Sequence, residues 1–171
     1  VIERHHALAA SRGIALSYHA PAPSYRVMGN AIALDQVITN LVKNALNYTP
    51  QDKGGSVAVK LETDYRGRII VSVSDTGIGI AQKDLYHIFE PFYRAETSRA
   101  RGVGSGTSGL GLAIVNEIVR LHRGSISVRS ALGRGTTIEL SFPRFEEQEA
   151  RREHVESATD DEVQSVEVNL R

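Results

Sequence analysis

Three groups of residues in this 171-residue chain have types and spacings that could do chemistry. The first is Asn40-Leu-Val-Lys43-Asn44-Ala-Leu-Asn47-Tyr48-Thr49. Asn40 and Asn44 are four apart, so on a helix they stack on one face. A neutral amide oxygen suits Mg²⁺, which keeps several waters and takes its other oxygens from phosphates. Two asparagines alone read equally well as a solvated polar face. The second group, Asp75-Thr-Gly77-Ile-Gly79, follows an apolar run. A carboxylate there could accept a hydrogen bond from an adenine amino group, and glycines would let backbone approach a flat base. In isolation the segment is also an ordinary Asp/Gly turn. The third, Gly102-Val-Gly104-Ser-Gly106-Thr-Ser-Gly109-Leu110-Gly111-Leu112, runs into a helical pattern. Backbone N–H groups at a helix start attract phosphate. The alternative is a flexible linker, although linkers rarely run directly into an amphipathic helix.

Elements to position these groups can be read from periodicity. Residues 3 to 12 read as the end of a helix stopped by Gly13. Ile14 to Tyr18 and Tyr25 to Met28 read as extended, interrupted by Pro21 and Pro23. Asn30 is placed to cap a helix over 31 to 48, in which Leu34, Ile38, Leu41, Val42 and Ala45 recur at helical spacing. On this reading the asparagine face lies opposite the apolar stripe. Ser56 to Thr63 and Arg68 to Ser74 form a predicted hairpin, and Gln82 to Ile88 a short helical piece. Residues 94 to 108 are polar, basic and glycine-rich. A helix over 109 to 122 and strands over Ser125 to Ser130 and Thr136 to Phe142 complete the order, and Pro143 ends it. The sum is an α+β, two-layer α/β sandwich with helices on one face of a mixed sheet. The irregular order argues against a doubly wound fold.

Composition narrows the function classes. There is no Cys, hence no disulfide framework and no thiolate metal site. The six His are scattered without metal-ligand spacing. No apolar run approaches the roughly 18 residues of a membrane span. Net charge is zero, but nine Asp/Glu and four Lys/Arg lie from Arg144 onward, leaving sixteen basic and eleven acidic residues before it. A mildly basic body suits a polyanionic ligand, and no basic run with interleaved aromatics points to nucleic acid. Gly104-Ser-Gly106-Thr-Ser-Gly109 spells a dinucleotide fingerprint but follows a polar segment instead of a strand. Val57-Ala-Val-Lys60 is like the protein-kinase lysine strand, yet neither H-R-D, D-F-G nor a Walker loop is present.

The order is more specific than its parts: the Asn helix, Asp75-x-Gly77-x-Gly79, Phe89-Glu-Pro-Phe92-Tyr93, the glycines before a helix, then Gly133-Arg-Gly135-Thr136. This series resembles the N, G1, F, G2 and final glycine boxes of the sensor histidine kinase catalytic domain. That domain shares a superfamily, and a Bergerat-type ATP-binding fold, with gyrase, heat-shock chaperone and mismatch-repair ATPases. The resemblance covers about residues 12 to 143. It implies an ATP:protein-histidine phosphotransferase domain of a two-component system. Asn44 would hold Mg²⁺ on the ATP phosphates, and Asp75 would bind the adenine amine beside Gly77 and Gly79. Tyr48 would lie against the nucleotide. Gly109, Leu110, Gly111 and Leu112 would form the phosphate-side helix start, and Thr137 would reach the adenine site through water. Residues 94 to 108 would be an ATP lid, with Phe89, Phe92 and Tyr93 either at its base or in plain core packing. Asn40 replaces the Glu general base of the hydrolysing relatives, and an amide takes no proton from water at neutral pH.

The resemblance also exposes departures. Asn47 stands where a basic residue usually reaches the phosphates; Lys43 points elsewhere around the helix, so Arg94, Arg99 and Arg101 are candidates to supply the charge. Thr107 stands where the phosphate loop often has Gly. A phosphoacceptor His context is missing around His5 and His6, so the acceptor is expected on a dimerisation and phosphoacceptor domain outside this chain, with a response regulator as the indirect partner. The expected division is 1–12 as the end of a preceding helical dimerisation region, 13–143 as the ATP-binding domain and 144–171 as an acidic, unstructured tail. A cytoplasmic fragment without membrane contact is expected, from a longer protein that could be anchored upstream.

Overall fold

The computed structural model describes residues 1–22, 24–51, 54–95 and 108–145, and the backbone of 165–167. Among these residues three helices, α1 (Ile2–Ser11), α2 (Ala31–Tyr48) and α3 (Gly111–Leu121), accompany seven strands. These are β1 (Ala15–His19), β2 (Arg26–Met28), β3 (Ser56–Thr63), β4 (Ile69–Asp75), β5 (Ser125–Ala131), β6 (Gly135–Phe142) and β7 (Ser165–Glu167).

Five strands form one sheet in the order β1-β3-β4-β6-β5. β1 and β3 are parallel and the other pairs antiparallel, which makes the sheet mixed. Register aligns the apolar side chains in rows. Val59, Val73, Ile138 and Val128 form one, and Leu61, Val71, Leu140 and Ile126 the next. Period-two alternation sends these rows to one face, where they meet Leu34, Val37, Ile38, Leu41, Val42, Ala45 and Leu46 of α2 and Val115 and Val119 of α3. The other face is polar: Arg129 pairs with Glu139 at 3.3 Å, and Arg68 Nε donates to Ser141 Oγ at 2.6 Å. The antiparallel part of the sheet, β3-β4-β6-β5, is wetted on one side, which gives this pattern. The expected two-layer sandwich is what forms.

Helix α2 begins as anticipated. Asn30 has extended dihedrals, and its side chain accepts the Ala33 N–H at 3.0 Å. His122, at the end of α3, ties the two helices: its Nε2 accepts the Asn30 N–H at 3.0 Å, and its Nδ1 lies 2.7 Å from the Ile118 carbonyl.

One expectation needs correction, and two observations bear on the expected division of the chain. Residues 82–88 make successive turns with Asp84 N bonding Ala81 O and His87 N bonding Asp84 O. These close one residue tighter than an α-helix and do not propagate. Helix α1, expected as the end of a preceding helical region, packs on the domain: Ile2 and Ala9 are buried in the same core as α2, and Arg4 pairs with Asp35. A boundary at residues 12 and 13 therefore marks no break in packing. Within the segment expected to be an unstructured tail, Ser165–Glu167 pairs antiparallel with β2 as β7. Its Ser-Val-Glu alternation suits a strand, and its backbone satisfies groups that β2 would otherwise leave open. Among the described residues no helix is long and apolar enough to cross a membrane.

Candidate functional site

A cleft opens between α2, the end of β4, the turns after it and the start of α3, with about 750 Å³ of space including its mouth. From α2 it is lined by Leu41, Asn44, Ala45 and Tyr48, spaced to share one helix face. Val73, Asp75, Thr136 and Ile138 come from the sheet, and Ile78, Gly79, Ile80 and Ile88 from the loop beyond β4. Tyr93, Arg94, Ala95 and Leu112 complete it. The lining is mostly apolar with a few polar groups, which is the usual composition of a small-molecule site.

Asp75 is in phase with Ile69, Val71 and Val73 on β4, so its carboxylate occupies a position where the core-facing series would put another apolar side chain. Its Oδ1 accepts the Gly77 N–H at 2.8 Å and the Thr136 N–H at 3.2 Å. Among the described residues Oδ2 has no hydrogen bond and is left for a ligand. Burial pushes the carboxyl up to about 6, against the pull of the two backbone bonds.

The loop carrying the two glycines is held by the protein itself. Ile78 N–H donates to the Tyr48 carbonyl at 3.0 Å, and Gly133 N–H to the Ile78 carbonyl at 2.8 Å. A Cβ on Gly77 would stand 2.4 Å from the Tyr48 oxygen. Gly79 has φ +67°, and a Cβ there would stand 1.9 Å from the Ala131 oxygen. These glycines are required by close approach of chain to chain. Their part in the cleft is to let the loop fold down beside Asp75.

Asn44 flanks the apolar stripe of α2 instead of lying opposite it, because that stripe is widened by Val37 and Leu46. It lines the cleft, whereas Asn40 does not. Asn40 Nδ2 reaches the Gly111 carbonyl at 3.4 Å and so contacts the start of α3. That start carries no side-chain cap, which leaves its first N–H groups open to an anion. Of the four residues assigned there, Leu112 lines the cleft, and Gly109, Leu110 and Gly111 lead up to it. Thr137 is not at the site. Its register partner is Ser74, and the two hydroxyls are 3.0 Å apart on the polar face. Thr136, one residue earlier and on the core-facing side, lines the cleft instead.

Asn47 is also away from the cleft: its Oδ1 accepts from Arg12 Nη1 at 2.8 Å, and Lys43 is exposed. Of the three candidate arginines, Arg94 lines the cleft; Arg99, Arg101 and Thr107 lie outside the described residues, as does most of the expected lid. Phe92 is 70% exposed, which excludes core packing, and its N–H donates to Gly109 O at 3.1 Å. That bond joins the two sides of the 94–108 segment. Sequence reasoning missed Thr136, Ile80 and Ile88. Sheet register is the signal that identifies Thr136, and the apolar pair carried no signal of its own. Among the described residues no three His, Asp or Glu side chains cluster to hold a metal. The lone amide of Asn44 fits a cation that arrives with a polyphosphate, not one the protein binds alone.

Comparison with known proteins places these features in context. The family described as "Histidine kinase-, DNA gyrase B-, and HSP90-like ATPase" matches residues 29–146. The sensor-like histidine kinase SenX3 of Mycolicibacterium smegmatis is 37% identical over 155 residues, covering 91% of this chain and 39% of SenX3. The chain thus spans about two fifths of that relative's length. Among solved structures, a mycobacterial sensor histidine kinase, MprB, has a TM-score of 0.67 at 28% identity, covering 84% of this chain and 91% of that one. Full-length ShkA in complex with AMPPNP has a TM-score of 0.69 at 28% identity, covering 84% of this chain and 28% of ShkA.

Proposed function

This chain belongs to the histidine kinase-, DNA gyrase B- and HSP90-like ATPase family, and from that premise we propose that it binds Mg-ATP in the cleft and passes the γ-phosphate to a histidine on another domain. The observation that carries the reading is the carboxylate of Asp75, half-buried at a core position with one oxygen unclaimed. Such an acceptor in an apolar cleft suits the exocyclic amine of adenine. Tyr48, Ile78 and Ile138 offer apolar surface for the base, and Gly77 and Gly79 let the loop close beside Asp75. Arg94 and the uncapped start of α3, at Gly109 to Leu112, supply positive potential for the phosphates. Asn44 would hold the Mg²⁺, which neutralises phosphate charge when bound. Catalysis of this kind is mostly positioning.

Asn40 bears on the fate of the phosphate. Its amide cannot take a proton from water, and it is engaged with the Gly111 carbonyl. Bound ATP is therefore protected from hydrolysis and available to an imidazole, whose neutral nitrogen attacks phosphorus without a strong base. The nitrogen–phosphorus bond forms as the bond to ADP breaks. The acceptor is the dimerisation and phosphoacceptor domain of the same kinase, which would hand the phosphate on to a response regulator, and the setting is cytoplasmic.

The test supplies radiolabelled ATP and that domain as a separate polypeptide. Acid-labile label on its histidine, and none on this chain alone, is the expected result. Rapid phosphate release without transfer would identify an ATP-hydrolysing relative. Tight binding with neither outcome would identify a regulatory nucleotide-binding module.

A further inference from the structure

One wall of the cleft, Tyr93 to Ala95, belongs to no helix or strand. Segments of this kind open easily unless side chains fasten them. A fastening is present: the Tyr93 hydroxyl donates to Asp84 Oδ1 at 2.8 Å. Asp84 sits nine residues earlier, in the run of turns after β4, and is 3% exposed. Its backbone is fixed by bonds to Ala81 and His87. Its second oxygen, Oδ2, is buried and takes no hydrogen bond among the described residues.

Packing alone does not favour a carboxylate in such a place, because a half-satisfied buried charge is worse than an apolar side chain of similar size. What the carboxylate supplies is a strong acceptor for the Tyr93 hydroxyl. Tyr93 precedes Arg94, and both line the cleft. We infer that Asp84 is a positioning residue of this site: through the Tyr93 hydroxyl it sets where the Tyr93–Arg94 wall stands, and with it the place of the Arg94 side chain along the cleft. The inference rests on reading the cleft as an ATP site. Asp84 touches no ligand; it acts through Tyr93. Because Asp75 reads the base and Arg94 the phosphates, loosening this wall weakens ATP much more than adenosine.

The experiment compares Asp84→Ala, Asp84→Asn and Tyr93→Phe by calorimetric titration with Mg-ATP and with adenosine, and by amide exchange across residues 92 to 95 in nucleotide-free protein. Tyr93→Phe guards against misfolding of the Asp84 variants, since it removes one oxygen and leaves the ring 5.4 Å from that of His87. Asp84→Ala and Tyr93→Phe are each expected to weaken ATP about tenfold, leave adenosine within about twofold, and speed exchange at 92 to 95. Asp84→Asn keeps an acceptor oxygen and is expected to restore both readouts. The double variant Asp84→Ala/Tyr93→Phe should be no worse than either single one. Equal losses for ATP and adenosine, or no change in either readout, overturns the inference. If wild type itself does not bind ATP, the nucleotide reading falls, and the exchange data still decide whether Asp84 places the wall.

Discussion

Asp75 and Thr136 face each other across β4 and β6, and the Thr136 N–H donates to Asp75 Oδ1 at 3.2 Å. With the Gly77 N–H on the same oxygen, the carboxylate is fixed in direction while its other oxygen stays open to the cleft. Asp75→Ala should therefore remove the acceptor proposed to read the base without disturbing the sheet. Loss of a charge-assisted hydrogen bond costs about 1.5–3 kcal/mol, or roughly 10- to 150-fold in affinity. Calorimetric titration with Mg-ATP measures this directly, and equal affinities in both proteins would remove Asp75 from the adenine site.

The same residue makes a prediction about pH. Burial raises its carboxyl from 3.8 to about 6, so between those values the folded protein holds more protons than the unfolded chain. Stability then falls as pH rises through that window and levels off above it. The cost of the ionised form is on the order of 2–3 kcal/mol. Asp75→Asn should raise the melting temperature of nucleotide-free protein at pH 7.5, with the difference vanishing near pH 4. Parallel melting curves for both proteins across that range would show that the carboxyl is not under strain. If Asp75→Asn does raise the melting temperature, the carboxylate lowers the stability of the empty fold and serves the complex instead, a common trade at binding sites.

How much of this was legible depended on whether the signal was local. Helix α2 runs over 31–48 with Asn30 as its cap, as periodicity indicates, because cap and apolar stripe both sit within the segment. Asp75 stood out through its glycines alone; that it ends β4 in phase with Ile69, Val71 and Val73, which places a carboxylate on the core face, needed the true end of the strand, one residue past the predicted Ser74. Thr136 was not legible, since choosing it over Thr137 requires the β4–β6 register. The tight turns over 82–88 were hidden because Leu85 and Ile88 imitate a helical stripe, while the buried Asp84 that breaks it reads as surface. The bond from Arg12 to Asn47 spans 35 positions and leaves no local trace.

Asn44 lines the cleft beside Tyr48, whereas Asn40 turns toward Gly111. If the amide serves the metal and not the base, as proposed, Asn44→Ala should abolish most of the gain in ATP affinity that magnesium confers and leave adenosine binding within about twofold. Titrations with and without magnesium separate the two. An equal magnesium effect in wild type and variant would show that the cation has other ligands.

Asn47 poses the last question, because it occupies the position where the resemblance leads one to expect a phosphate-binding cation. The structure gives its amide another task. Arg12 Nη1 donates to Asn47 Oδ1 at 2.8 Å and to the Leu46 carbonyl at 3.1 Å. Leu46 lies in the last turn of α2, which has no basic residue of its own. A guanidinium from the end of α1 thus meets the negative end of the helix dipole and bonds one of its terminal carbonyls. Arg12→Ala removes both bonds and the charge, and should cost about 1–2 kcal/mol of stability. That lowers the melting temperature by roughly 3–8 °C in a domain of this size. Asn47→Ala removes one bond and leaves the carbonyl contact, so its effect should be less than half as large. Neither residue lines the cleft, and affinity for Mg-ATP should stay within about twofold in both. Thermal unfolding alongside titration decides the matter: if Asn47→Ala left the melting temperature unchanged and weakened ATP as much as Asn44→Ala, its amide would belong to the phosphates after all.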